Sequence, residues 1–318
     1  MDTSTRPARI ALKTKNMSRR SPLSAREEKA AYLFLMPWFI GLTFFLAVPL
    51  VWSLYISMTD KRLISAGGEH FIGLQNYTYM FTQDGYFYHS LYVTLKWLVL
   101  TTPLYLLAGL FISLLLNQKL PGIHLFRTIL YIPAVLSGVA VAVLWLQLFN
   151  PELGAINYLL YRIGIDNPPY WLQDPKWAMP AVIIMGLWGV GGTAIIYLAG
   201  LQNIPPHLYE AASIDGAGSI AKFFYITLPM LSPTIFFLLV NAIIDSLLIF
   251  GPVFVLGGDG GPEDSLLFYM LYLYRRAFIQ GLMGYATALA WVLTILGVIL
   301  VFLMFRFERR FVFYEAAE

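Results

Sequence analysis

Cysteine is absent from this 318-residue chain, which excludes disulfides, thiolate nucleophiles and cysteine metal sites. Charge is scarce as well: Asp, Glu, Lys and Arg make up 12% of the residues against 58% hydrophobic ones, a balance that no water-soluble globular surface sustains. No Gly-Lys pair is available for a phosphate-binding loop and there is no His-Glu-x-x-His. The four histidines, His70, His89, His124 and His207, are scattered. Catalytic residues, a metal site and a cofactor bound by the chain itself are therefore not expected. Any work the protein does must draw on another protein or on an ion gradient.

What the chain has in quantity is uninterrupted apolar sequence. Residues 30–58, 97–118, 128–151, 177–206 and 277–305 carry no Asp, Glu, Lys or Arg, and 223–258 carries only Asp245. Each run exceeds the roughly 20 residues that cross a bilayer core as a helix. In lipid every backbone polar group must be satisfied within the segment, and runs this continuous lack the alternation of barrel strands. The expected fold is an all-α integral membrane protein with six transmembrane helices.

Basic residues divide unevenly between the connecting segments. The N-terminal tail from Arg6 to Lys29 falls on one side with Lys119, Arg127, Lys222, Arg306, Arg309 and Arg310; Lys61, Arg62, Arg162, Lys176, Arg275 and Arg276 fall on the other. This is the positive-inside pattern, and it predicts a multi-pass protein with both termini cytoplasmic. The net charge of +3 thus points to the lipid bilayer as partner and to no nucleic acid. Residues 1–29 read as a cytoplasmic basic tail, disordered to about residue 20 and held near anionic headgroups, then an interfacial helix that Ser24-Ala25-Arg26-Glu27 would cap. Residues 30–318 read as the six-helix domain. The first apolar run is too long for a cleaved signal peptide and lacks its cleavage site, so it reads as a retained helix.

The inside loop at 202–225 holds the most specific signal. It reads Pro205-Pro206-His207-Leu208-Tyr209-Glu210-Ala211-Ala212-Ser213-Ile214-Asp215-Gly216-Ala217-Gly218 and continues to Ile226-Thr227-Leu228-Pro229. Pro206 suits a first helical turn, Leu208, Ala211 and Ala212 would give a small apolar face, and Asp215-Gly216 stops the helix. A second helix would start near Ser219 and climb into the fifth span. A short rigid helix with small residues and one acid, lying between two spans, can dock in another protein's groove and pass its motion to both.

Glu210, Ala211, Ala212, Gly216, Ile226, Leu228 and Pro229 fit the pattern Glu-Ala-Ala, three residues, Gly, nine residues, Ile-x-Leu-Pro. This resembles the permease subunits of binding-protein-dependent ABC importers. Gly73-Leu74-x-Asn76-Tyr77, Phe126-Arg127-Thr128, Phe149-Asn150-Pro151, Leu198-Ala199-Gly200-Leu201-Gln202, Gly260-Gly261-Pro262, Tyr274-Arg275 and Gly284-Tyr285-Ala286 extend the resemblance over most of the chain, toward the carbohydrate-uptake class similar to maltose and glycerol-phosphate permeases. The resemblance implies a bacterial or archaeal plasma (inner) membrane and a cytoplasmic coupling helix between the fourth and fifth spans. It also implies four partners: a second ABC permease, two copies of an ATP-binding subunit that hold ATP and Mg, and an extracytoplasmic solute-binding protein. On this resemblance Glu210, Ala211, Ala212, Asp215, Gly216 and Ala217 would seat in the ATPase; the plainer alternative is that Glu210 is a carboxylate favoured near a helix start.

For the solute path, Asp245 and Asn241 stand one helical turn apart on the fifth span. They would either bind solute hydroxyls or a cationic group, or, through Asp245, pair with the partner permease. Similar permeases carry a small residue where Asp245 stands. Trp188 and Tyr197 on the fourth span would stack on a sugar ring or simply pack, and Gly186, Gly189, Gly191 and Gly192 suit close helix approach. Inverted repeats and paired discontinuous helices, expected of an ion-coupled transporter working alone, are not evident.

Overall fold

A computed structural model describes residues 22–64 and 68–313; the expected disordered tail lies outside them. The chain divides into two compact units between Ser53 and Leu54, inside the first span. In the first unit helix runs without interruption from Pro22, so Ser24 sits within a helix rather than at its start, and the expected separate interfacial helix is the opening of a longer one. That helix supplies the first span, α1 (Glu27–Ser57). Its turn at Thr43–Ala47 is π-helical. The widening accommodates Pro49, which has no N–H to donate and whose ring crowds the carbonyl one turn back.

The second unit contains α2 (Gln75–Thr82), α3 (Gly85–Leu116), α4 (Ile123–Val135), α5 (Gly138–Leu148), α6 (Ala155–Arg162), α7 (Pro175–Trp188), α8 (Gly191–Gln202) and α9 (Pro206–Ile214). These are followed by α10 (Ser219–Met230), α11 (Ser232–Leu247), α12 (Gly251–Gly257), α13 (Tyr269–Tyr274) and α14 (Met283–Phe311). α1, α3 and α14 each cross as one helix. Three further spans are bent pairs: α4 with α5 at 98°, α7 with α8 at 45°, and α10 with α11 at 62°. Counting each pair as one span gives six among the described residues.

The broken pairs are discontinuous helices of the kind not evident from sequence, and each break has a local cause. Leu136 turns extended between α4 and α5, and Gly138 then passes close to the Pro252 ring of α12. Gly189 and Gly191 flank the second break. At the third, Pro233 cannot donate to the carbonyl of Pro229, and the Ser232 hydroxyl donates to it instead at 2.6 Å, which gives the freed carbonyl a partner. The fifth apolar run suggests one helix to residue 258; the structure stops α11 at Leu247 and restarts at Gly251. The second span begins earlier than its charge-free run, so Lys96 lies within α3.

α3 is the central post, packed on α8, α11, α13 and α7. Glycine makes the closest crossings possible. A side chain at Gly191 would collide with the backbone carbonyl of Leu130 in α4, and one at Gly186 with the Tyr105 hydroxyl on α3. The glycine cluster is therefore a packing device, as its spacing suggests.

Candidate functional site

The loop motif folds into a helix whose stop is dictated by backbone chemistry. Pro206 opens α9, and Gly216 follows its end with φ of +79°. The Gly216 amide donates to the Ser213 carbonyl at 3.2 Å and the Ala217 amide to the Ala212 carbonyl at 2.8 Å. These paired bonds form a Schellman stop, in which the residue after the cap is left-handed and hence glycine. The three residues between Ala212 and Gly216 in the motif are the spacing this stop requires.

α9 is fixed to the spans on one side and bare on the other. Leu208 and Tyr209 pack against Leu201, Ile204 and Leu231, with Leu110 and Leu114 of α3 alongside. The Tyr209 hydroxyl bonds Thr227 Oγ1 at 2.9 Å, and Lys222 Nζ donates to Ser213 Oγ at 2.7 Å, so α9 is tied to the foot of the fifth span twice. The packed face is thus Leu208 with Tyr209, whereas Ala211 points outward and Ala212 is half-buried. Glu210, Asp215 and Gly216 are exposed and Ala217 is half-buried. Ile214 and Ile220, 87% and 77% exposed, lie on either side of Asp215 in the sequence. Apolar side chains set among carboxylates around a rigid stop make a surface suited to a protein partner.

Asn241 and Asp245 share a cleft of about 500 Å³ walled by α3, α8 and α11. Trp97, Thr101, Thr102, Tyr105, Thr193 and Ser246 also bring polar groups to its lining. Asn241 Nδ2 donates to the Phe237 carbonyl at 2.7 Å, and the Asp245 carboxylate is exposed to the cleft. Trp188 and Tyr197 do not line it. Trp188 meets Trp145 edge-on at 6.2 Å and stays 38% exposed, whereas Tyr197 is 1% exposed and packs within the helix bundle.

A third constellation, at the far end of α3 from α9, was not singled out in the sequence. Asp84, 3% exposed, caps α3 by accepting from the amides of Tyr86 and Phe87 at 3.1 and 3.2 Å. It also accepts from the hydroxyls of Tyr272 and Tyr285 and faces Arg276 Nη2 at 3.4 Å. Burial pushes the Tyr272 hydroxyl well above its ordinary pKa, and its bond to Asp84 adds to this; it stays a neutral donor. Burial works against charge on Arg276, but the Tyr272 hydroxyl bond and neighbouring charges outweigh it and hold the guanidinium above its ordinary value. An Asp just ahead of a helix-forming run is an N-cap signal. Its partners, nearly 200 residues away, leave no local trace.

The motifs behind the resemblance also turn out to be architecture. Asn76 donates to the carbonyls of Ser57 and Thr59 at 2.8 and 2.9 Å, and Tyr77 bonds Ser57 at 2.8 Å. Arg127 covers the last carbonyl of α3 at 2.8 Å, and Asn157, six residues beyond Pro151, accepts from the Trp171 indole at 2.7 Å. They fasten the connections that hold the spans in place.

Such a frame, with a docking helix at one end and a polar cleft between bent spans, is that of a transport permease. Residues 30–313 match the family described as binding-protein-dependent transport system inner membrane component. The chain belongs to this family and is a permease subunit of an ABC transporter. It is 40% identical over 295 residues to the probable ABC transporter permease protein YesP of Bacillus subtilis (strain 168), covering 92% of this chain and 94% of that one. It is 34% identical to the lactose transport system permease protein LacF of Rhizobium radiobacter, over 90% and 96% of the two chains. It is 32% identical to the sn-glycerol-3-phosphate transport system permease protein UgpA of Yersinia pestis, over 89% and 95%. Among solved structures, the bacterial alginate ABC transporter in complex with alginate pentasaccharide-bound periplasmic protein contains a chain that superposes with a TM-score of 0.80. Identity there is 26%, and 92% of this chain and 98% of that one are covered. Family membership, not helix continuity, decides against a self-sufficient ion-coupled transporter.

Proposed function

We propose that this chain forms half of the translocation pathway of an ATP-driven importer for a sugar or sugar-like solute. Its partners are a second permease, two copies of an ATP-binding subunit and an extracytoplasmic binding protein that delivers the solute. ATP and Mg belong to the ATPase. Relatives named for lactose and glycerol phosphate and a structural neighbour named for alginate and its periplasmic protein support the solute class and the partner set. The asymmetry of Lys and Arg supports cytoplasmic termini and a cytoplasmic α9.

The observation that carries the reading is the geometry of α9. It is locked to the fifth span through Tyr209 and Lys222 and presents Glu210, Ala211 and Asp215 outward. A groove on the ATPase that received Glu210, Ala211, Ala212, Asp215, Gly216 and Ala217 would drive the fourth and fifth spans as it moved. The solute would pass the Asn241 and Asp245 cleft between those spans and α3.

The test is solute uptake into vesicles holding the reconstituted complex, with ATP hydrolysis recorded in parallel. Glu210→Ala should weaken ATPase docking and abolish uptake, with the permease pair still assembled. Uptake by this chain alone without ATP would overturn the reading.

A further inference from the structure

We infer that Asp245 makes the cleft a charge filter that passes neutral and cationic solutes and rejects anionic ones. The inference rests on the reading of this cleft as the solute path. Asp245 is the only acidic or basic side chain among the residues lining the cleft, and no Lys, Arg or His is on its wall. Its carboxylate has no hydrogen-bond or ion-pair partner among the described residues, so nothing in the wall offsets its charge. A carboxylate held within a membrane span without compensation is costly, and such groups mark solute paths or pairing sites.

The uncharged polar groups point the same way. One N–H of the Asn241 amide is taken up by the Phe237 carbonyl, which leaves its oxygen to accept and its second N–H to donate. Thr102 lines the same cleft at 6% exposure, and its buried hydroxyl has no partner. The Thr101 and Tyr105 hydroxyls donate to the carbonyls of Trp97 and Ile183, so their oxygens join the Asp245 carboxylate and the Asn241 oxygen as acceptors for a solute bearing O–H or N–H donors. A monoanionic group about 6 Å from Asp245 would be disfavoured about 100-fold at an effective dielectric of about 20. A neutral polyol escapes that penalty, and a cationic group would gain.

The absence of cysteine in the chain allows the field to be measured without knowing the solute. Asn241→Cys, in the reconstituted complex, would be reacted with a cationic trimethylammonium and an anionic sulfonate methanethiosulfonate reagent, and modification of this chain would be read by mass. The cationic reagent should be favoured at least ~10-fold over its ratio with a free thiol, and adding Asp245→Asn should return the ratio to the free-thiol value. A ratio that Asp245→Asn leaves unchanged overturns the filter while the path reading stands. Reaction with neither reagent overturns the path reading itself. Loss of the second permease on purifying the Asp245→Asn complex would show that Asp245 pairs across the subunit boundary and would likewise overturn the filter.

Discussion

Single residues in this chain are constrained by backbone geometry as much as by side-chain chemistry, and glycines separate the two. Gly216 has nothing within 4 Å of the place a side chain would take, so space is not its constraint. Its φ of +79° is. Gly216→Ala should cost about 1 kcal/mol, seen as a small fall in Tm of the purified complex, and should loosen the α9 stop. At Gly191 the constraint is space: a methyl group there runs into the Leu130 backbone. Gly191→Ala should abolish a monodisperse elution peak, whereas Gly189→Ala, whose new methyl meets only the Gly186 carbonyl at 3.5 Å, should elute like the parent. Asp84 is the polar counterpart. Asp84→Asn leaves Arg276 facing no carboxylate and should cost roughly 3 kcal/mol, measured by thermal unfolding. Adding Arg276→Gln should recover part of it, because the second change removes the uncompensated charge.

Elements show where reading the sequence succeeds and where it stops. The six apolar runs locate the spans because length and lack of charge are properties of each run by itself. The stop of α9 was legible for the same reason: Asp215-Gly216 carries its own signal. The breaks in the third, fourth and fifth spans were less visible. Pro233 is as compatible with an unbent membrane helix as with a 62° bend, and the outcome depends on whether a neighbouring hydroxyl can take the freed carbonyl. Here Ser232 does so, and its oxygen also accepts from the Phe313 amide at 2.8 Å, tying the end of α14 to the bend. Ser232→Ala should therefore speed hydrogen exchange at Phe313 and around the 229–231 turn, with exchange around Asp84 unchanged. The cleft was half legible. Asn241 and Asp245 stood out as polar residues one turn apart in an apolar run, whereas the burial of Tyr197 and the pairing of Trp188 with Trp145 depend on neighbours from other spans.

At the scale of the whole molecule, the proposed orientation rests on the charge distribution and is directly testable in a chain without cysteine. Glu263→Cys should be labelled by a membrane-impermeant maleimide in intact cells, and Glu210→Cys only after permeabilisation. The opposite pattern would reverse the assigned topology. Between those two faces runs α3, whose 32 residues make a rod of about 48 Å. One end is held by the Asp84 cluster and the other lies against Leu208 and Tyr209 of α9. Pro103 is the one proline along it, in the stretch that walls the cleft. A rod held at both ends would carry a displacement of one end to the other. Under the proposed orientation, an antibody or small molecule that separated Asp84 from Tyr272 and Tyr285 could silence the ATP-coupled end of the machine without ever entering the cell.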